Sequence, residues 1–159
     1  ERNKLQLDDF KFEAPQISKY TGSTALNLMC YYSINNDVAE IAVRCRFYKE
    51  LSWIKSPSDK LKKDMEELNK INKDELILLV LNHEQRHYDI GEIFARKLSD
   101  TIQKTTFTAA NLETNLKNLL LSYISEMNLM QEQYDNDCGL GNSTQKQREW
   151  DKKIDQLIF

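Results

Sequence analysis

The chain lacks a surplus of basic charge. Its 22 Lys and Arg face 25 Asp and Glu, for a net charge of -3. A domain-wide cationic footprint for nucleic acid is absent, so no nucleic-acid partner is expected. Local clusters such as Lys60-Leu61-Lys62-Lys63 read as a solvated helix face. Long apolar runs are missing as well. The longest, Leu76 to Leu81, falls far short of the about 20 residues that cross a bilayer, and no transmembrane segment is expected. No signal peptide is visible, and the chain starts at Glu1 rather than Met, as a mature or trimmed form would.

Cysteine is sparse. Cys30, Cys45 and Cys138 make no CxxC pair and no disulfide framework. Buried, inert thiols are the simple reading, although export would permit a Cys30–Cys45 bridge. Internal repeats and low-complexity tracts are absent. Histidine is scarcer still, with only His83 and His87 in the whole chain.

What is present fits one soluble domain spanning residues 1–159. Residues 1–24 look irregular, broken by Pro15 and Gly22. Residues 25–35 and 38–48 read as strands. In the second, Ile41, Val43, Cys45 and Phe47 share one face, with Ala42, Arg44 and Arg46 on the other. Asn35-Asn36-Asp37 is good turn chemistry between them, so a β-hairpin is expected. A tight turn centred on Asn36-Asp37 puts Cys30 and Cys45 on one face, but diagonally rather than opposite.

Helical spacing follows. Ser56-Pro57-Ser58-Asp59 resembles a helix start, with Leu61, Met65 and Leu68 behind it. Asp74 could cap a long helix to about Thr101, apolar nearly all round from Glu75 to Leu81 and therefore buried there. Another helix is expected from Asn111 to about Tyr134, with Leu112, Leu116, Leu119, Tyr123, Met127 and Met130 as its core stripe. Cys138 to Asn142 reads as a loop, and Thr144 to Ile158 as a last helix. Strands grouped before helices give an α+β class.

Both histidines lie in His83-Glu84-Gln85-Arg86-His87, an HExxH pattern inside the long helix. Residues four apart sit about 40° apart around a helix and roughly 6 Å along it. Two imidazoles can then converge on one zinc ion. Glu84, one step around, is placed to act as general base on a water. Asp89 is a candidate outer partner for a ligating imidazole. Arg86 reads as a surface or ion-pair residue rather than a catalytic one, and Glu92 lies too far round to join the histidines.

A catalytic zinc normally takes three protein ligands and keeps one position open. Ile93 stands where HExxHxxGxxH would need its last histidine. The third ligand must be a carboxylate or Cys138, or it is missing. Asp100, Glu113 and Glu126 are formal candidates. Asp135 and Asp137 are better placed, because they begin a loop that could turn back, and Cys138 is a thiolate that zinc would accept. Asp135 is taken as the third ligand, with Asp137 and Cys138 as its alternatives.

Further residues carry a family likeness. They are Asp8-Asp9-Phe10, the hairpin ending in Phe47, Ser52-Trp53-Ile54, the run His83 to Ile90 with Glu92 to Leu98, Tyr134-Asp135, and the Gln147-to-Trp150 spacing. In these the chain resembles a bacterial family filed as domain of unknown function nine-two-two, whose members are expected to be zinc-dependent proteases. The resemblance implies a zincin-like fold and site, a peptide or protein substrate, and an exported location in bacteria. It also places a metal-binding histidine where Leu140 stands, and leucine cannot bind metal. The hairpin of residues 25–48 is the candidate edge for an extended substrate. The expected function is a zinc metallopeptidase with His83, His87 and Asp135 as ligands and Glu84 as base. The alternative is a degenerate zincin-like binding or structural module without a complete metal site.

Overall fold

The computed structural model describes residues 3–18, 20–35, 38–55, 73–139 and 144–158, and it is α+β. Among the described residues four strands come first: β1 (Gly22–Ser23), β2 (Leu26–Asn35), β3 (Val38–Phe47) and β4 (Trp53–Ile54). Three described helices follow: α1 (Lys73–Gln103), α2 (Leu112–Cys138) and α3 (Thr144–Ile158). Single 3-10 turns sit at Leu7–Asp9 and Lys49–Leu51. The helix expected around Leu61 to Leu68 falls outside the described residues, as do Lys60 to Lys63 and Leu140.

β2 and β3 form the expected antiparallel hairpin, running from Leu26 opposite Phe47 to Asn35 opposite Val38. Ile41, Val43, Cys45 and Phe47 are half-buried, while Ala42, Arg44 and Arg46 are exposed, as the period-2 pattern requires. Cys30 lies opposite Val43, and Cys45 opposite Leu28. The two thiols are diagonal and free, and Cys138 is also free. A second, shorter antiparallel pair joins β1 to β4, with Gly22 opposite Ile54 and Ser23 opposite Trp53. Buried Ser52 ties the two sheets together. Its Oγ accepts from Ala25 N–H at 3.0 Å and donates to the Tyr48 carbonyl at 2.8 Å.

Helix α1 is the element that the others pack on. Ile90, Ile93 and Leu98 are fully buried, facing the hairpin and α2. Gly91 lets the hairpin come close, because a Cβ there would fall 2.5 Å from Cys45 Sγ. On α2 the expected stripe holds: Leu112, Leu116 and Met127 are buried, and Leu119, Tyr123 and Met130 are half-buried. On α3 the buried face is Gln147, Trp150, Ile154 and Ile158, spaced by three and four.

Two expectations change. The start of α1 is not buried all round: Leu76 and Val80 face inward, but Leu78 is 61% exposed. Among the described residues, only one side of those turns has a neighbour to pack on. Helix α2 also runs past Tyr134 to Cys138, and ends at Gly139 in the left-handed conformation at φ 57°. Its stop signal is that glycine, and the helix ends four residues later than expected.

Candidate metal centre

Helix α1 presents His83 and His87 one turn apart, with their rings at 4.8 Å and nearly perpendicular. Their Nε2 atoms lie 3.2 Å from each other. From α2, Asp135 brings Oδ1 to 3.2 Å from His83 Nε2 and 3.0 Å from His87 Nε2. Three donor atoms thus form a nearly equilateral triangle. Zinc bonds of about 2.0–2.2 Å to nitrogen and oxygen imply donor–donor edges of about 3.3 to 3.5 Å in a tetrahedron. The observed triangle is only slightly tighter, and its donor types are ones that zinc takes.

The outer nitrogens are fixed as well. Gln147 Nε2 donates to Asp151 Oδ1 at 2.9 Å, which can only accept. The amide oxygen of Gln147 therefore faces His83 Nδ1, 3.1 Å away. At His87, Gln131 Nε2 donates to the His87 backbone carbonyl at 2.9 Å, and Gln131 Oε1 meets His87 Nδ1. Each imidazole thus carries a proton on Nδ1 and turns its Nε2 lone pair toward Asp135. Two lone pairs and a carboxylate aimed at one point need a cation or a proton between them.

The electrostatics agree. Burial disfavours charge on His87, yet the Asp135 hydrogen bond and the Glu84 carboxylate outweigh it and raise its pKa. Burial pushes Asp135 up, but its bonds to His83 and His87 and their charge pull it well below the carboxylate range. Tyr134 supports the pair from beneath. Its ring stacks on His83 at 4.6 Å, and its hydroxyl accepts from Gln147 Nε2 at 2.7 Å.

Glu84 stands beside the triangle and is 3% exposed. Thr24 Oγ1 donates to its Oε2 at 2.7 Å. The other oxygen lies against Gly22, where an added Cβ would sit only 2.8 Å from Glu84 Cδ. A side chain on Gly22 would displace the carboxylate. Burial raises the Glu84 carboxyl above its ordinary range, against the pull of His87, His83 and the Thr24 hydroxyl. A cavity of about 300 Å³ opens here, walled by Tyr20 to Thr24, Trp53, Gln131 and the His–Glu–Asp group.

Behind the histidines, Arg86 is buried among carboxylates. It donates to Asp151 Oδ1 at 2.8 Å, Asp155 Oδ1 at 2.6 Å and Asp89 Oδ2 at 3.3 Å. Asp151 thus holds both Arg86 on α1 and Gln147 on α3.

The structure brings His83, Glu84, His87 and Asp135 together. Asp135 arrives on a continuing helix, not on the loop that the glycines suggested. Asp137 turns away to accept from Trp150 Nε1 at 3.0 Å, and Cys138 is sealed in the core. Neither they nor Asp100, Glu113 or Glu126 join the donor cluster. Asp89 serves Gln85 and Arg86 rather than an imidazole. The cavity wall is β1 with its flanks, not the 25–48 hairpin, whose inner face is taken up by α1. The site roles of Gln131, Gln147, Thr24 and Gly22 do not emerge from the sequence, where Gln147 enters only through its spacing to Trp150 and Gly22 only as a break. One signal was available: Gln131 lies four before Asp135, on the same face of a helix.

The family model for bacterial proteins of unknown function (DUF922) matches residues 53–142, from β4 through the end of α2. The chain belongs to that family. No curated protein and no solved structure matches it. Within this DUF922 chain, the matched span contains His83, Glu84, His87 and Asp135. The cavity wall at Tyr20 to Thr24 and the supporting Gln147 come from outside it.

Proposed function

We propose that this DUF922 chain is a zinc-dependent metallopeptidase of zincin-like design, acting outside the cytoplasm. The observation that carries the reading is the convergence of His83 Nε2, His87 Nε2 and Asp135 Oδ1, each 3.0 to 3.2 Å from the others. Those three residues would hold the ion. When bound, zinc supplies a Lewis acid that lowers the pKa of a water to about 7 and polarises a carbonyl. Glu84 takes a proton from the attacking water and delivers it to the amine nitrogen as the carbon–nitrogen bond breaks. Its raised pKa suits a group that must both accept and release that proton. Thr24 and Gly22 fix the carboxylate in place, and the wall from Tyr20 to Thr24 receives the peptide.

The third donor favours the enzyme over a degenerate module, because Asp135 supplies what Leu140 cannot. The test combines metal content with cleavage of an unstructured protein. Protein purified without chelator is expected to carry zinc in a near-stoichiometric amount and to cleave casein. Glu84→Gln is expected to keep zinc and lose cleavage by about a hundredfold or more. Asp135→Ala is expected to lose the metal. Zinc binding with cleavage unaffected by Glu84→Gln would sink the base role, and no zinc uptake would leave the module.

A further inference from the structure

A second cavity, of about 590 Å³, lies along β3 and shares no wall residue with the first. Among the described residues, strand β3 is paired on one side only. Tyr48 N–H donates to the Ala25 carbonyl at 2.9 Å, which makes these residues a hydrogen-bonded pair at the base of the ladder. Alternation in an antiparallel ladder then directs the backbone groups of Arg46 and Arg44 toward β2. Those of Phe47, Cys45 and Val43 point to the open edge. Among the described residues, no backbone group pairs with them there.

The cavity follows this edge. Its cations are Lys4, Arg44, Arg46 and Lys49, and its one carboxylate, Asp9, is bound to Lys49 at 2.5 Å. Among the described residues no carboxylate pairs with Lys4, Arg44 or Arg46. The local charge is therefore positive in a chain of net charge -3. The apolar part is Phe47 and Tyr88, edge to face at 6.0 Å. Exposed Tyr31 stands on the outer wall. The N-terminal segment closes one side, held by Gln85, which donates to the Asn3 carbonyl at 3.1 Å and accepts from Leu5 N–H at 2.6 Å.

We infer that this edge is a docking groove for an extended acidic peptide segment of another protein, added as a strand to β3. Open strand edges bind peptides through main-chain hydrogen bonds, with alternate side chains read by the surroundings. Here one set of side chains meets Arg44, Arg46 and Lys49, and the other meets Phe47 and Tyr88. The same cations repel a second copy of the edge, which works against self-association. The groove does not depend on the metal-site reading.

The test uses the full chain and a short acetylated peptide of alternating Glu and Val, labelled for fluorescence anisotropy. Saturable binding is expected, with amide shifts at Val43, Cys45 and Phe47, and weakening as salt is raised. The double variant Arg44→Glu, Arg46→Glu is expected to keep its melting curve, both residues being exposed, and to bind about tenfold or more weakly. A peptide N-methylated along one edge is expected to lose binding, while methylation of the other edge is tolerated. Equal binding of a Lys-Val peptide, tighter binding of single-stranded oligonucleotide at the same amides, or competition by free glutamate alone would each overturn the proposal. So would tolerance of N-methylation on both edges.

Discussion

Glu84 is a carboxylate held almost out of water, with one hydroxyl donor from Thr24 and a glycine backbone against its other oxygen. That placement has a stability consequence. Its folded pKa is raised above the ordinary 4.5, so between the two values the folded state binds more protons than the unfolded state. Stability from this group is fully present below about pH 4.5 and is lost as pH rises through the raised value. Glu84→Gln removes that loss while keeping an oxygen for Thr24. The metal-free variant is expected to melt above the metal-free parent near pH 8 and level with it near pH 4. Thermal melts at the two pH values check this; a lower melting point for the variant near pH 8 contradicts it. At this scale the sequence was readable where spacing alone sets geometry, as with His83, Glu84 and His87 on one helix. It was silent on Thr24 and Gly22, which reach Glu84 from sixty residues away through a strand two residues long.

Between elements, the centre is a joint of three helices. α1 gives the histidines, α2 gives Asp135 and Gln131, and α3 gives Gln147. Asp151 orders Gln147 and also holds Arg86, so the orientation of His83 depends on how α3 docks on α1. Outer partners of ligating histidines are worth about 10- to 100-fold in metal affinity. Gln147→Met keeps the bulk but removes the acceptor for His83 Nδ1. Competition with a chromophoric chelator is expected to show zinc affinity reduced within that range, and nitrogen NMR to show His83 losing its single tautomer. A folded variant with unchanged zinc affinity and tautomer would remove the orienting role of α3. The hairpin register, the α2 stripe and the α3 bounds were legible because each follows a hydrophobic period. The end of α2 was not: the expected stop near Tyr134 falls before the glycines, and the helix runs on to the left-handed backbone of Gly139. A stop near Tyr134 makes Asp135 a loop residue, whereas it lies on the helix face already carrying Gln131. Gln147 falls on the period of the buried α3 face, but a polar residue there gives no sign of its partner.

For the molecule as a whole, the proposed metal, drawing on α1 and α2 and braced by α3, would couple binding to folding. A ligand that binds only the folded state adds about 2.7 kcal/mol at a hundred times its Kd. The size of that gain should depend on pH, because the ion competes with a proton. With both Nδ1 protons fixed on Gln131 and Gln147, a further proton on His87 must sit on Nε2, where the metal would bind. The pKa of His87 is raised above 6.5, despite its burial, by Asp135 and Glu84. For the metal-free fold, stability from His87 is fully present below about pH 6.5 and is lost as pH rises through the raised value. A zinc ion held by His87 Nε2 would meet the opposite trend: the proton on that nitrogen has to leave at low pH, and the nitrogen is free at high pH. The rise in melting temperature on adding zinc is therefore expected to be small near pH 6 and to grow until the raised pKa is passed. Zinc affinity should increase about tenfold per pH unit in that window, and calorimetry in buffers of different ionisation heat should count about one proton released. A zinc affinity independent of pH there, with no proton released, would mean that the ion does not bind through His87 Nε2.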